Sequence, residues 1–201
     1  CKTPNLPWVL DAREISRSLS LESVTLINDL EATAFGILAL PANEFVVLSE
    51  GLPTSEGNTC LIAAGTGLGE SIIFWDGEKY KPSPSEGGHT DFAPRNKIEI
   101  DLLNYLINKY GRISYERILS GPGLLNVYNF FKDTAYQAPP SWLLERFKKE
   151  DPSAVISELG MEKKDECCDK ALDLFVSVCG AEAGNLALKS LAMGGVYIGG
   201  G

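Results

Sequence analysis

The 201-residue sequence is short of positive charge: 18 Lys and Arg stand against 27 Asp and Glu, a formal net charge of −9. A protein that tracks nucleic-acid phosphates or hugs anionic lipid needs a basic face, so both classes are excluded first. Long apolar runs are also missing. The longest charge-free stretch, residues 118–131, is broken by Gly121, Pro122 and Gly123, and a membrane span needs about 20 apolar residues. The opening CKTPNLPWVLDARE lacks the basic start, apolar centre and small-residue cleavage site of a secretory signal, so a cytoplasmic location is the default expectation. Five cysteines, an odd number, do not describe a disulfide framework. Cys167 and Cys168 are adjacent, which is neither redox nor zinc-ligand spacing, and His89 is the sole histidine. A structural zinc is therefore not expected. What is present, 44% apolar and 22% charged residues, matches a globular chain able to bury a core, as one large domain or parts of two.

Along the chain, SVTLIN (23–28) reads as a strand, and DLEATAFGILAL then takes a helical period with Leu30, Ala34, Ile37 and Leu38 on one side. EFVVLS (44–49) reads as a short strand. CLIAA (60–64), the turn GTGLG (65–69), ESIIFW (70–75) and the Asp76-Gly77 turn before EKYKP describe an antiparallel meander. After residue 96 the pattern becomes helical. Ile98, Leu102, Tyr105, Leu106 and Lys109 form a stripe ended by Gly111, and further helices are expected over SYERILS (114–120), LLNVYNFF after a Gly-Pro-Gly break, and SWLLERFKKE. Asp151-Pro152 is a helix start. From about Asp165 to Ala192, Leu172, Phe175, Val176, Cys179, Ala183, Leu186 and Ala187 recur at three- and four-residue steps, predicting one long packed helix. Cys60 and Cys179 read as small buried hydrophobes; Cys167, Cys168 and the tryptophans read as exposed faces and packing. The chain closes on an apolar strand, GGVYIGGG. That ending and the opening Cys-Lys-Thr-Pro-Asn suggest the central part of a longer protein.

Four features can carry chemistry. Asp29, at a strand-to-helix junction, is either a helix cap or a general base at the carboxyl edge of a sheet. Gly65-Thr66-Gly67 is either a plain hairpin turn or a phosphate cradle, since glycines let backbone N–H groups approach an anion. Glu86-Gly87-Gly88-His89 puts a carboxylate and an imidazole on one tight loop, suited to sugar hydroxyls, or else carries an ordinary surface histidine. A metal held by His89 with Glu86 and Asp91 has too few ligands. Glu116 by itself is a solvated helix charge.

Taken in order, LINDLEATAFGI, AAGTGLGES, EGGHTDFAPRN, SYERILSGPGL, GNLAL and GGVYIGGG resemble the bacterial-type glucokinases, an ATP-dependent hexokinase family of the ribonuclease H-like, actin-like superfamily. The resemblance implies an α/β fold with a mixed sheet flanked by helices and two lobes, residues 1–39 being the remnant of the smaller one and 40–201 the larger. It implies glucose and ATP as substrates, Mg²⁺ as cofactor, and a homodimer. Asp29 inherits the role of base for the sugar 6-hydroxyl; Asn28, Glu86, His89 and Glu116 fall on the sugar ligands. Gly65, Thr66 and Gly67 correspond to the second phosphate motif, and Gly199, Gly200 and Gly201 to the start of the adenosine motif. The family's D-x-G-G-T motif and its returning C-terminal helices have no match here, so residues 1–201 alone are expected to have little or no kinase activity. No CxCG pattern follows His89, which separates the chain from the zinc-bearing ROK branch. A non-catalytic sugar sensor, or a kinase for another hexose or phosphate donor, remains the alternative.

Overall fold

Three runs separated by turn residues build the sheet. The computed structural model describes residues 9–51, 56–134 and 138–200. In it Thr59–Ala64 (β1), Leu68–Trp75 (β2) and Tyr80–Ser85 (β3) form the expected antiparallel meander. Gly195–Gly200 (β4) lies parallel to β1 on its other side, giving the order β3-β2-β1-β4. Ala64 pairs with Leu68, so residues 65–67 are the whole turn between β1 and β2, closed by the Gly65 amide donating to the Gly67 carbonyl at 2.8 Å. Ala64 also pairs with Gly200, so β1 and β4 end side by side at the same edge. Pro82 and Pro84 lie in β3, an edge strand, where a missing amide donor is tolerated.

Alternation along β1 divides the core in two. Cys60 and Ile62 join the larger cluster, roofed by Lys97–Tyr110 (α3), Gly121–Thr134 (α4), Ser141–Lys149 (α5), Pro152–Met161 (α6) and Glu166–Ser190 (α7). Leu61 faces the other way, meeting Ile73 and Ala34 of Asp29–Ala39 (α2), with Leu30, Ile37 and Tyr197 packed around them. Leu30 seats directly on Gly69, where any Cβ would overlap it. Ala12–Leu19 (α1), capped by Asp11, has no buried residue, although Ala12, Ile15 and Leu19 recur at helical steps.

Several expectations are corrected. Residues 23–28 are not a strand but an irregular approach to α2, and 44–49 are irregular chain leaving a one-turn 3₁₀ helix (Ala42–Glu44) at its last residue. No described strand pairs with either segment, and Val46 is 86% exposed; β-branched composition needs a partner strand to become sheet. Residues 114–120 hold only a 3₁₀ turn, Tyr115–Arg117, and Gly121-Pro122-Gly123 is the first turn of α4 rather than a break before it, proline being tolerated where no intrahelical donor is needed. On α2, Leu38 turns outward. On α3 the inner position next to Leu102 and Leu106 belongs to Glu99, while Ile98 is exposed. The buried stripe of α7 runs through Ala171, Leu174, Val178, Glu182 and Leu186, and Val176 is exposed. Cys167 and Cys168 are both buried, and burial raises both thiols. Cys179 is half-buried. By length and composition α7 would also pass for a membrane-crossing helix, but its inward stripe packs on β1, α4 and α6.

Candidate active site

Asn28 caps α2: its side chain accepts the Leu30 amide at 2.8 Å, and Glu31 reaches back to the Asn28 amide in a capping box. Capping therefore falls mainly to Asn28. The exposed Asp29 carboxylate, which touches its own following amide at 2.9 Å, stands at the helix start facing the cleft.

Two loops are sewn together opposite it. The Phe92 amide donates to the Ile113 carbonyl and the Tyr115 amide to the Thr90 carbonyl, with Asp91 and Ser114 bridged between them. Arg112 ties the same junction by donating to the His89 carbonyl and pairing with Asp91. This brings Glu116 beside His89. The imidazole Nδ1 lies 3.7 Å from Glu116 Oε1 and its Nε2 3.7 Å from Glu86 Oε2, too far for hydrogen bonds, so these facing atoms are not tied to one another. Glu116 Oε2 accepts the Leu68 amide at 3.1 Å, linking this group to the β1–β2 turn.

The result is a cleft of about 330 Å³ lined by Asn28, Asp29, Gly65, Thr66, Gly67, Glu86, His89, Glu116 and Gly200, together with Ser85 and Leu68. Gly199 is not in its wall and instead lies against Ala63 and Leu61; alternation along β4 turns it to the α2 face. Gly201 lies outside the described residues. Ser85, whose hydroxyl accepts the Gly87 amide at 3.0 Å, and the buried Glu70 behind it have no signal in the sequence, since their place depends on the register of β2 and β3.

The turn that carries Glu86 and His89 is tightly seated. Gly88 is buried, and a Cβ there would overlap the Leu68 carbonyl oxygen, a backbone atom that cannot swing away. Gly88→Ala is therefore expected to destabilise the full-length protein by about 1–3 kcal/mol and to weaken ligand binding in the cleft. A melting temperature equal to that of the wild type would contradict this.

A family model described as glucokinase matches residues 1–201. The chain belongs to the glucokinase family. Among its glucokinase relatives, that of Nostoc punctiforme is 42% identical across the whole chain, which spans 62% of that relative's length. The crystal structure of glucokinase from an Antarctic psychrotroph is 30% identical, with a TM-score of 0.80 over 94% of this chain and 56% of the other. That of Balamuthia mandrillaris glucokinase in complex with glucose is 25% identical, with a TM-score of 0.71 over 87% of this chain and 50% of the other. The glucokinase resemblance and the mixed α/β fold expected from the sequence thus hold.

Proposed function

We propose that the protein to which this chain belongs transfers the γ-phosphoryl group of ATP to the 6-hydroxyl of glucose. The observation that carries this reading is the convergence of Asn28, Asp29, Glu86, His89 and Glu116 on one cleft that ends at the Gly65–Gly67 turn; the glucose complex of the Balamuthia relative supports the choice of sugar. In the transfer, the Asp29 carboxylate accepts the proton of the 6-hydroxyl as that oxygen forms its bond to the γ-phosphorus and the bond to the ADP oxygen breaks. Glu86, His89 and Glu116 hold the remaining hydroxyls, fixing the attacking oxygen near Asp29.

The nucleotide end is backbone. Thr66 is exposed at the tip of its turn between two glycines, and Gly200 has φ 123°, with the Ala64 carbonyl filling the space a Cβ would need. Such side-chain-free walls suit close approach of phosphate oxygens. For Mg²⁺ the described residues offer no group of three or more His, Cys, Asp or Glu, so the ion belongs to this proposal only as the companion of the nucleotide phosphates. The two-lobe division at residue 39, a homodimer and a cytoplasmic setting for sugar breakdown complete the reading and rest on the family resemblance.

A coupled assay of the full-length protein against hexoses and phosphate donors tests it. Glucose with ATP is expected to be preferred, and a hexose differing at one hydroxyl to lose about 1–3 kcal/mol in kcat/KM through an unpaired polar group. Glucose binding without turnover would point instead to a sugar sensor, and a preferred donor other than ATP would correct the nucleotide assignment.

A further inference from the structure

Behind the sugar-facing turn lies a buried acidic cluster with no place in the transfer just described. Glu70 of β2 is 1% exposed and, paired in register with Ile62 and Ser85, points into the helical layer. Its Oε2 lies against Gly87, so closely that a Cβ on Gly87 would overlap it. Its Oε1 is buried with no hydrogen-bond partner among the described residues. Beyond it on α7 stands a second carboxylate, Glu182, at 0% exposure. Glu182 accepts hydrogen bonds from Asn185 at 2.9 Å and from Lys189 at 3.3 Å. Asn185 also donates to the Tyr115 hydroxyl at 3.2 Å, and Tyr115 precedes Glu116. The cluster thus touches both segments that carry the proposed sugar ligands.

We propose that Glu70 is a positioning residue for the sugar ligands: as a neutral carboxylic acid packed against Gly87, it braces the turn bearing Glu86 and His89, and on ionising it releases that turn. The proposal rests on the sugar-site reading above. Two buried carboxylates backed by one half-exposed ammonium cannot both stay charged cheaply. An ionised Glu70 would also leave Oε1 as an unsolvated anion oxygen without a donor. Burial, and then the charge of Glu182, push the Glu70 carboxyl up to about 7, with Lys189 opposing. Cys60 on β1 and Tyr115 are the other titratable groups of this cluster. Burial raises both, Tyr115 to about 12, so neither changes charge near neutrality. Because the folded value lies above the ordinary one, the bracing is complete in acid and is lost as the pH rises through about 7.

The test is calorimetric titration of the full-length protein with glucose from pH 5.5 to 8.5. The wild-type Kd is expected to rise roughly three- to tenfold across a midpoint near 7, with KM following it and kcat changing less than about twofold. Glu70→Gln, neutral at every pH, is expected to abolish that rise. Lys189→Met, at a side chain open to solvent, should move the midpoint upward by removing the opposing charge; Glu182→Gln should move it downward. Glucose binding with the same pH profile in wild type and Glu70→Gln, or a midpoint indifferent to Lys189→Met, overturns the positioning role while leaving the sugar site standing. Failure of the wild type to bind glucose at any pH overturns the sugar-site reading, and the proposal with it. Should Glu70→Gln not fold, the midpoint shift in Lys189→Met decides the matter.

Discussion

Asp29→Asn is expected to lower the kcat of the full-length protein by about 10² to 10⁴, the range a general base contributes, while glucose affinity changes only a few-fold. The variant is a clean probe because Asn28 and Glu31 make the capping box at the start of α2. The Asp29 carboxylate is exposed, and its one hydrogen bond among the described residues comes from the neighbouring Leu30 amide, which an asparagine oxygen accepts equally well. Helix α2, docked through Leu30 and Ala34, should therefore stay in place. In the proposed transfer, removing the acceptor for the hydroxyl proton affects the transition state more than the bound sugar, so the loss belongs in kcat and not in KM. Single-turnover and steady-state rates with saturating glucose and ATP measure it directly. A kcat within threefold of the wild type would remove Asp29 from the proton transfer. Asn28→Ala, by contrast, should cost about 1 kcal/mol of stability through the lost cap.

The second large effect concerns the fold. Arg95→Met is expected to destabilise the protein by about 3–5 kcal/mol, the cost of leaving a buried charge without its partner, and to lower the melting temperature by roughly 10 °C. Glu99 is 0% exposed. Arg95 grips it through Nη2 at 2.5 Å and Nε at 3.2 Å, its own backbone amide adds a bond at 2.7 Å, and Asn96 adds another at 3.1 Å. The same guanidinium reaches the Ser177 carbonyl and hydroxyl on α7, so the pair locks the start of α3 to the long helix. Burial by itself would raise the Glu99 carboxyl, but the Arg95 hydrogen bonds outweigh it and hold the group below its ordinary 4.5. A lowered folded value gives stability that is full above the ordinary one and fades as the pH falls below it. Without Arg95 the burial contribution remains, so the sign reverses and Arg95→Met should gain stability on acidification towards pH 4.5. Urea midpoints at pH 7 and pH 5 for both proteins check this; parallel curves would show that Glu99 is not the group at stake. Arg95→Met/Glu99→Met, which removes both charges, should recover much of the loss.

The meander was legible because its evidence is local: GTG and Asp-Gly turns are tight enough to bring successive apolar runs of strand length side by side. The α7 helix and the Asp151-Pro152 start of α6 were legible for the same reason. Strands at 23–28 and 44–49 were misread because a β-branched run signals only readiness to pair, and no described strand meets them. The stripes of α3 and α7 lie largely where expected, Leu102, Leu106, Ala183 and Leu186 being core, but they leave out Glu99 and Glu182, which look like surface charges and yet occupy inner positions, one held by Arg95 and the other by Asn185 and Lys189. Hydropathy cannot anticipate a charge that is buried with its partner. Glu116 had no local mark at all, and only motif order singled it out.

The order of its motifs and the chemistry of their residues set this protein's family and named the groups that a hexose and a phosphate would need. Whether those groups meet was decided by tertiary structure. Residues 28 and 116 share a cleft only because the 90–92 and 113–115 segments are hydrogen-bonded to each other, and because Leu30 rests on Gly69 at the end of the sheet. The Glu70–Glu182 pair likewise exists only through the register of β2 and the rotation of α7. The physical reason is distance along the chain: propensity and periodicity act over a few residues, whereas an active site is assembled from contacts between segments dozens of residues apart.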